Sequence, residues 1–132
     1  MSFWGRRVSV KALIAATAVV VMLLGVLAVA VTRPAREITL VARGMAFYLE
    51  DGDLPNPTIT VKPGERVRIL LRNEERGIRH DFAVPSLRAA LEPLGWNESG
   101  YVIFEAPDVP GLYEYWCRPH KMMMRGQIVV QE

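Results

Sequence analysis

The sequence predicts an all-β sandwich with Greek-key connections, preceded by one transmembrane helix. Three observations carry that prediction. They are an uninterrupted apolar run near the N-terminus, seven short β-branched or aromatic-rich runs after it, and Pro/Gly turn signals between those runs. At 132 residues the chain has room for one globular domain. We divide it into a membrane anchor or signal segment, 1–32, and a domain spanning 33–132.

The N-terminal segment is read from charge and length. Arg6, Arg7 and Lys11 precede twenty uncharged residues, Ala12 to Val31, all apolar apart from Thr17 and Gly25. At about 1.5 Å per residue, a helix of that length reaches about 30 Å, the thickness of a bilayer's hydrocarbon core. The basic residues ahead of it should stay in the cytoplasm and send the remainder out. We therefore expect a single-pass anchor in a bacterial or archaeal cytoplasmic membrane, with the domain on the periplasmic side. The alternative is secretion after cleavage near Ala30, because Ala28-Val29-Ala30 has the small-x-small form that a signal peptidase reads. The length of the run favours the anchor, since signal cores span only about 7–15 residues. Arg6-Arg7 offers only a faint match to a twin-arginine signal.

The strand runs follow in order: Glu37 to Val41, Thr58 to Val61, Val67 to Leu71, Asp81 to Val84, Tyr101 to Glu105, Leu112 to Trp116 and Gln127 to Val130. Lys62-Pro63-Gly64-Glu65 reads as a turn feeding Val67, and Pro107 to Gly111 as a turn feeding Leu112. Ser86 to Glu92 breaks the β rhythm. An N-cap serine, helix formers and a terminating Pro93 predict a short helix or loop there. Gly95 to Gly100 is expected to be an exposed loop, and Met45, beside Phe47, a core residue.

Three of the sixteen Lys and Arg lie in the N-terminal segment, which leaves thirteen against fourteen Asp and Glu in the domain. That balance offers no basic patch for nucleic acid. The one cysteine, Cys117, permits no internal disulfide, and a lone thiol in an oxidising compartment calls for an occupant. It stands three residues before one of only two histidines, in Cys117-Arg118-Pro119-His120, and Met122, Met123 and Met124 follow; the second histidine, His80, lies upstream. Two imidazoles, a thiolate and a weak axial thioether are the ligand set of a mononuclear copper site able to exchange one electron. Taken singly, each has an ordinary explanation, because free cysteine is among the most buried residue types and methionine fills core gaps. Taken together, they place every His and Cys of the chain in one donor set. Tetrahedral zinc would rarely take a methionine as its fourth ligand.

Several further residues carry a family resemblance. Over roughly 37–131 the chain resembles the cupredoxins, the blue-copper family that includes plastocyanin, amicyanin and azurin. The likeness rests on the turn Val61 to Glu65, on Asn73 seven residues before His80, and on the approach Gly111 to Cys117. Cys-x-x-His followed by Met-x-Gly, here Met124-Arg125-Gly126, completes it. His80 to Pro85 also resembles the corresponding strand of cytochrome oxidase subunit II. That relative holds two coppers with two cysteines, so a dinuclear centre is not expected in a chain with one.

The resemblance implies a type 1 copper ion held by His80, Cys117 and His120, with Met124 as axial ligand and Met123 as its rival. It implies single-electron transfer between redox proteins, such as a cytochrome, an oxidase or another membrane electron-transfer complex, and no small-molecule substrate. Family members often carry asparagine after the first histidine. Asp81 stands there in this chain, and we expect it to bridge to Arg118, with Asn73 also among the residues that hold the ligands in place. Pro119, Met122 and Pro85, with Met123, are expected to form an apolar docking patch around His120. Copper delivery or storage, and an accessory copper subunit of a respiratory complex, are the alternatives; neither a second metal cluster nor a nucleophile–base pair suggests an enzyme.

Overall fold

The computed structural model describes residues 9–31 and 33–132, with side chains from 9–22 and 33–132. It contains two compact units, 1–33 and 34–132. In the first, helix α1 (Val10–Val31) begins with Leu13 N–H donating to Ser9 O, and it carries the predicted apolar run. Val10, Leu13, Ile14, Val19, Val20, Val21 and Met22 are all exposed. Among the described residues, no helix is long and apolar enough to cross a membrane. The side chains of the remainder of the proposed span, including the cleavage motif at Ala28 to Ala30, lie outside the described residues.

The second unit is a β-sandwich. One sheet consists of β1 (Arg36–Arg43), β2 (Ala46–Leu49), β4 (Arg66–Asn73) and β7 (Ser99–Glu105), in the order β2-β1-β4-β7. The other consists of β3 (Ile59–Val61), β5 (Ala83–Val84), β6 (Ala89–Ala90), β8 (Gly111–Trp116) and β9 (Arg125–Val130), in the order β3-β9-β8-β5-β6. Both sheets are mixed: β1 pairs parallel with β4 and β3 with β9, while the other pairs are antiparallel. Five of the eight connections cross from one sheet to the other, the behaviour expected of Greek-key topology.

Strict alternation builds the core. Along β4, Val67, Ile69, Leu71 and Asn73 point inward while Arg66, Arg68, Leu70 and Arg72 are less buried, following the two-residue period of a strand. Val67, Ile69 and Leu71 share one core cluster with Leu40 and Phe47 of their own sheet and Val84, Tyr115, Ile128 and Val130 of the other. At the centre, Phe47 packs edge-on to Phe82 and Tyr115 (centroids 5.8 and 5.6 Å), and Phe82 stacks on Tyr115 at 5.1 Å. Such offset and edge-to-face contacts add about 0.5–1.5 kcal/mol per pair beyond burial. The aromatic cluster contains Phe82, two residues beyond His80, and Tyr115, two before Cys117, so it braces the backbone of both.

Three expectations need correction. Ser86 to Glu92, expected as a short helix or a loop, is in part a strand: a single 3-10 turn spans Pro85–Leu87, Arg88 turns left-handed (φ 52°), and β6 follows. The reason is tertiary, since β6 hydrogen-bonds to β5 with Ala83 opposite Ala90 and Val84 opposite Ala89, overriding helix propensity. The predicted strand Asp81 to Val84 is shorter, with His80 forming only an isolated bridge to Leu94. Met45 is half-buried in a tight turn with Gly44, both at positive φ (59° and 56°), and the residues that reach the core are Ala46 and Phe47 of a strand that its pattern did not reveal.

Candidate metal centre

Two chain segments converge at one end of the sandwich. His80 is fixed by reciprocal backbone bonds with Leu94 (3.1 and 2.8 Å). Cys117 follows β8, and a 3-10 turn (Arg118–His120) folds the chain back so that His120 returns to the sulfur. Cys117 N–H donates to Met124 O, and the N–H groups of Met123 and Met124 both donate to His120 O, closing a tight loop between β8 and β9.

The donors of His80, Cys117 and His120 all lie within 4.8 Å of one another. The sulfur is 3.5 Å from His120 Nδ1 and 3.9 Å from His80 Nδ1, and the two rings meet edge-on with centroids 5.0 Å apart. Both imidazoles therefore present the same ring nitrogen to one thiol. His80 and Cys117 are fully buried and His120 is partly buried.

Burial pushes the Cys117 thiol up to about 11, although N–H groups of the adjoining backbone pull the other way. One of these, Asp81 N–H, donates to the sulfur at 3.5 Å. At neutral pH a cation must displace the proton for the sulfur to act as a thiolate. A soft sulfur, two imidazoles and the buried thioether of Met124 fit one copper ion.

The raised thiol has a consequence for the metal-free domain. Between pH 9 and 11 an unfolded chain releases the thiol proton while the folded domain holds it, so the folded state binds more protons and stability falls as pH rises. We expect Cys117 to contribute a loss of about 3 kcal/mol over that window, levelling off above pH 11. Burial also raises Tyr115, which acts in the same direction from pH 10 upward. Urea midpoints of the copper-free protein at pH 8.5 and 10.5 measure the loss. The Cys117→Ser variant should show a smaller decline, and an equal one would remove the thiol from the account.

The structure brings Asp81 and Arg118 together. Asp81 Oδ1 accepts Arg118 N–H at 2.7 Å, Oδ2 accepts Nε–H at 2.6 Å, and the guanidinium also donates to Leu91 O at 2.9 Å. The carboxylate is 1% exposed whereas the Arg118 side chain is nearly half exposed. The ion pair itself is thus worth at most about 1 kcal/mol. The bond from a backbone N–H to a buried carboxylate contributes about 1.5–3 kcal/mol. Asp81→Ala should destabilise the domain by about 2 kcal/mol and weaken copper binding by about 10-fold or more. Urea unfolding and a copper-chelator competition check both numbers, and an unchanged affinity would make the bridge irrelevant to the site.

Among the described residues, the Asn73 side chain hydrogen-bonds to backbone rather than to either imidazole. Its Nδ2 donates to Ile78 O and Leu94 O, and its Oδ1 accepts Glu75 N–H, so it shapes the loop that delivers His80. Two contributors escaped the sequence reading. Glu75 Oε2 lies 2.9 Å from His80 Nε2. Asn56 joins Phe47 N–H to Met123 O through its side chain. The first reads in sequence as half of an exposed acidic pair, and the second as a turn residue between two prolines. Among the methionines, Met124 is fully buried in the core cluster, whereas Met122 and Met123 are 88% and 58% exposed. Pro85 and Pro119 are exposed as well.

Residues 15–130 match the family model described as Cupredoxin-like domain. The chain belongs to that family. Among solved structures, this cupredoxin-like chain is similar to the auracyanin of Roseiflexus castenholzii, with 19% identity, 76% of this chain and all of that one covered, and TM-score 0.59. It is also similar to auracyanin A of Chloroflexus aurantiacus, described as a blue copper protein, with 21% identity, 74% and 100% covered, and TM-score 0.59. Copper nitrite reductase of Nitrosomonas europaea gives 24% identity and TM-score 0.59, with 74% of this chain but only 42% of that one covered. No curated protein matches the chain. The likeness of the His80 strand to cytochrome oxidase subunit II is not carried by these comparisons.

Proposed function

We propose that the domain is a type 1 copper electron carrier, held by its N-terminal helix at the outer face of a cytoplasmic membrane. The observation that carries this reading is the pair of imidazole Nδ1 atoms facing one buried cysteine sulfur. Copper bound there would supply a one-electron Cu(II)/Cu(I) couple, and the protein's part is to hold the ligands in one geometry through both states. His80 is locked by the Leu94 bridge, Cys117 by the Asp81 N–H and the Met124 carbonyl, and His120 by the turn that follows the cysteine.

Met124 is the axial ligand in this reading, supported by its full burial beside Cys117, while Met123 faces outward with its carbonyl held by Asn56. Visible absorption and electron paramagnetic resonance of the copper-loaded protein test the assignment. The unsubstituted protein should show an intense thiolate-to-copper band with narrow hyperfine splitting. Met124→Gln should shift both strongly and Met123→Gln should leave them nearly unchanged; the reverse pattern would move the axial role to Met123.

Pro85, Pro119, Met122 and Met123 are each exposed, and in this reading they supply the apolar surface on which a redox partner would dock near His120, with no substrate pocket required. This favours a carrier over an enzyme, although a copper nitrite reductase shares the fold. The two exposed thioethers give the copper-delivery reading its support. A protein of that kind would bind Cu(I) without forming a blue Cu(II) state. The membrane assignment rests on the apolar run and the exposed side chains of α1. Intact mass of the native protein tests it, and a chain beginning near Val31 would replace the anchor by a cleaved signal.

A further inference from the structure

Glu75 reaches the site without belonging to its donor set. It is the second residue of the loop that leaves β4, and both of its ends are fixed. Its N–H donates to Asn73 Oδ1 at 2.8 Å. Its Oε2 accepts Met45 N–H at 3.0 Å, from the Gly44-Met45 turn between β1 and β2, and lies 2.9 Å from His80 Nε2. The Glu75 side chain is 18% exposed and the imidazole is fully buried. Glu75 Oε2 already accepts the Met45 N–H, and an ionised carboxylate has no proton to donate, so in the 2.9 Å contact with the imidazole the carboxylate is the acceptor. The Nε2 of His80 therefore carries the proton, which leaves Nδ1, the atom facing Cys117, with its lone pair free.

We propose that Glu75 is a positioning residue that fixes the His80 tautomer and lowers the reduction potential of the copper site. The inference rests on the copper reading above. Two physical effects point the same way. A carboxylate on the outer nitrogen of a ligating imidazole raises that imidazole's basicity and holds its orientation. Its negative charge also favours the oxidation state of higher positive charge, and it acts in a setting that water screens poorly. His120 has no corresponding carboxylate among the described residues, so the two imidazoles differ electronically although they are matched as donors.

The test uses the full chain, copper-loaded, as wild type, Glu75→Gln and Glu75→Asp. Glutamine can still accept from Nε2–H through its side-chain oxygen but carries no charge. We expect Glu75→Gln to keep the blue band and to lose at least tenfold in Cu(II) affinity relative to Cu(I). That corresponds to a potential raised by at least about 59 mV for one electron. Glu75→Asp, which retains the charge, should fall between the two. A blue Glu75→Gln protein with the wild-type potential would overturn the proposal and leave the copper reading intact. Absence of a thiolate-copper band in the wild type would instead overturn the copper reading, and this proposal with it. Nitrogen-15 NMR of the copper-free wild type needs no variant: His80 protonated at Nε2 supports the proposal, and His80 protonated at Nδ1 overturns it.

Discussion

Replacing Cys117 by serine is expected to abolish the thiolate-to-copper absorption band and to lower Cu(II) affinity by more than the roughly 10- to 100-fold that follows loss of a residue supporting a ligand. The sulfur is the atom on which the site converges: both imidazole Nδ1 atoms lie within 3.9 Å of it, and Asp81 N–H is directed at it. A hydroxyl ionises far less readily than a thiol, shares little electron density with copper, and is too short to replace sulfur at the same distances. The change should leave the fold in place, because the residue is small and lies between strands rather than at the centre of the aromatic cluster. Visible absorption, electron paramagnetic resonance and a urea melt of the copper-free protein separate the two effects. A serine variant that kept the intense band would remove Cys117 from the ligand set.

Gly126→Ala should produce the largest loss of stability among single-atom additions to this domain, about 3 kcal/mol. A Cβ at this position would stand 2.7 Å from Tyr115 Cε1 and closer still to the ring carbon Cζ and the hydroxyl Oη of the same side chain. The ring has nowhere to go. It stacks on Phe82, meets Phe47 edge-on, and donates its hydroxyl to Pro57 O at 2.6 Å. Tyr115 and Gly126 are opposite one another in the β8–β9 ladder, so the glycine leaves space for the ring across the pair. Displacing Tyr115 would also disturb the strand that leads into Cys117, and the copper spectrum should broaden in the same variant. Gly77→Ala is the matched control. Its added Cβ meets nothing within 4 Å, and the position bears only the cost of its positive φ (82°), about 1–2 kcal/mol. Equal urea midpoints for Gly126→Ala and Gly77→Ala would refute the steric account.

Much of this was visible in the chain itself, for identifiable reasons. The strand runs stand out because one face of each sheet is buried and the pattern alternates, as in β4. The donor set stands out because His and Cys are so scarce that chemistry accounts for all of them. Glycine in Met-x-Gly belongs to the motif, but its physical cause, the ring of Tyr115, is visible only across the ladder. Ser86 to Glu92 misled because its helix propensity is local, while the pairing of Ala89 and Ala90 with β5 is not. Strand β2 was hidden in a segment of only four residues whose place is set by β1 and by Asn56.

The sequence by itself determined the β-sandwich class of the domain, the three nitrogen and sulfur donors that converge, and the pairing of Asp81 with Arg118, because each depends on residue type and spacing within short segments. Only the tertiary structure decided between Met124 and Met123 as the buried thioether and placed Glu75 against the outer nitrogen of His80. The physical reason is the same in both cases. Which methionine turns inward depends on the closure of the loop between β8 and β9. What Glu75 meets depends on a turn thirty residues upstream, brought alongside by the parallel pairing of β1 with β4, and on a histidine five residues downstream.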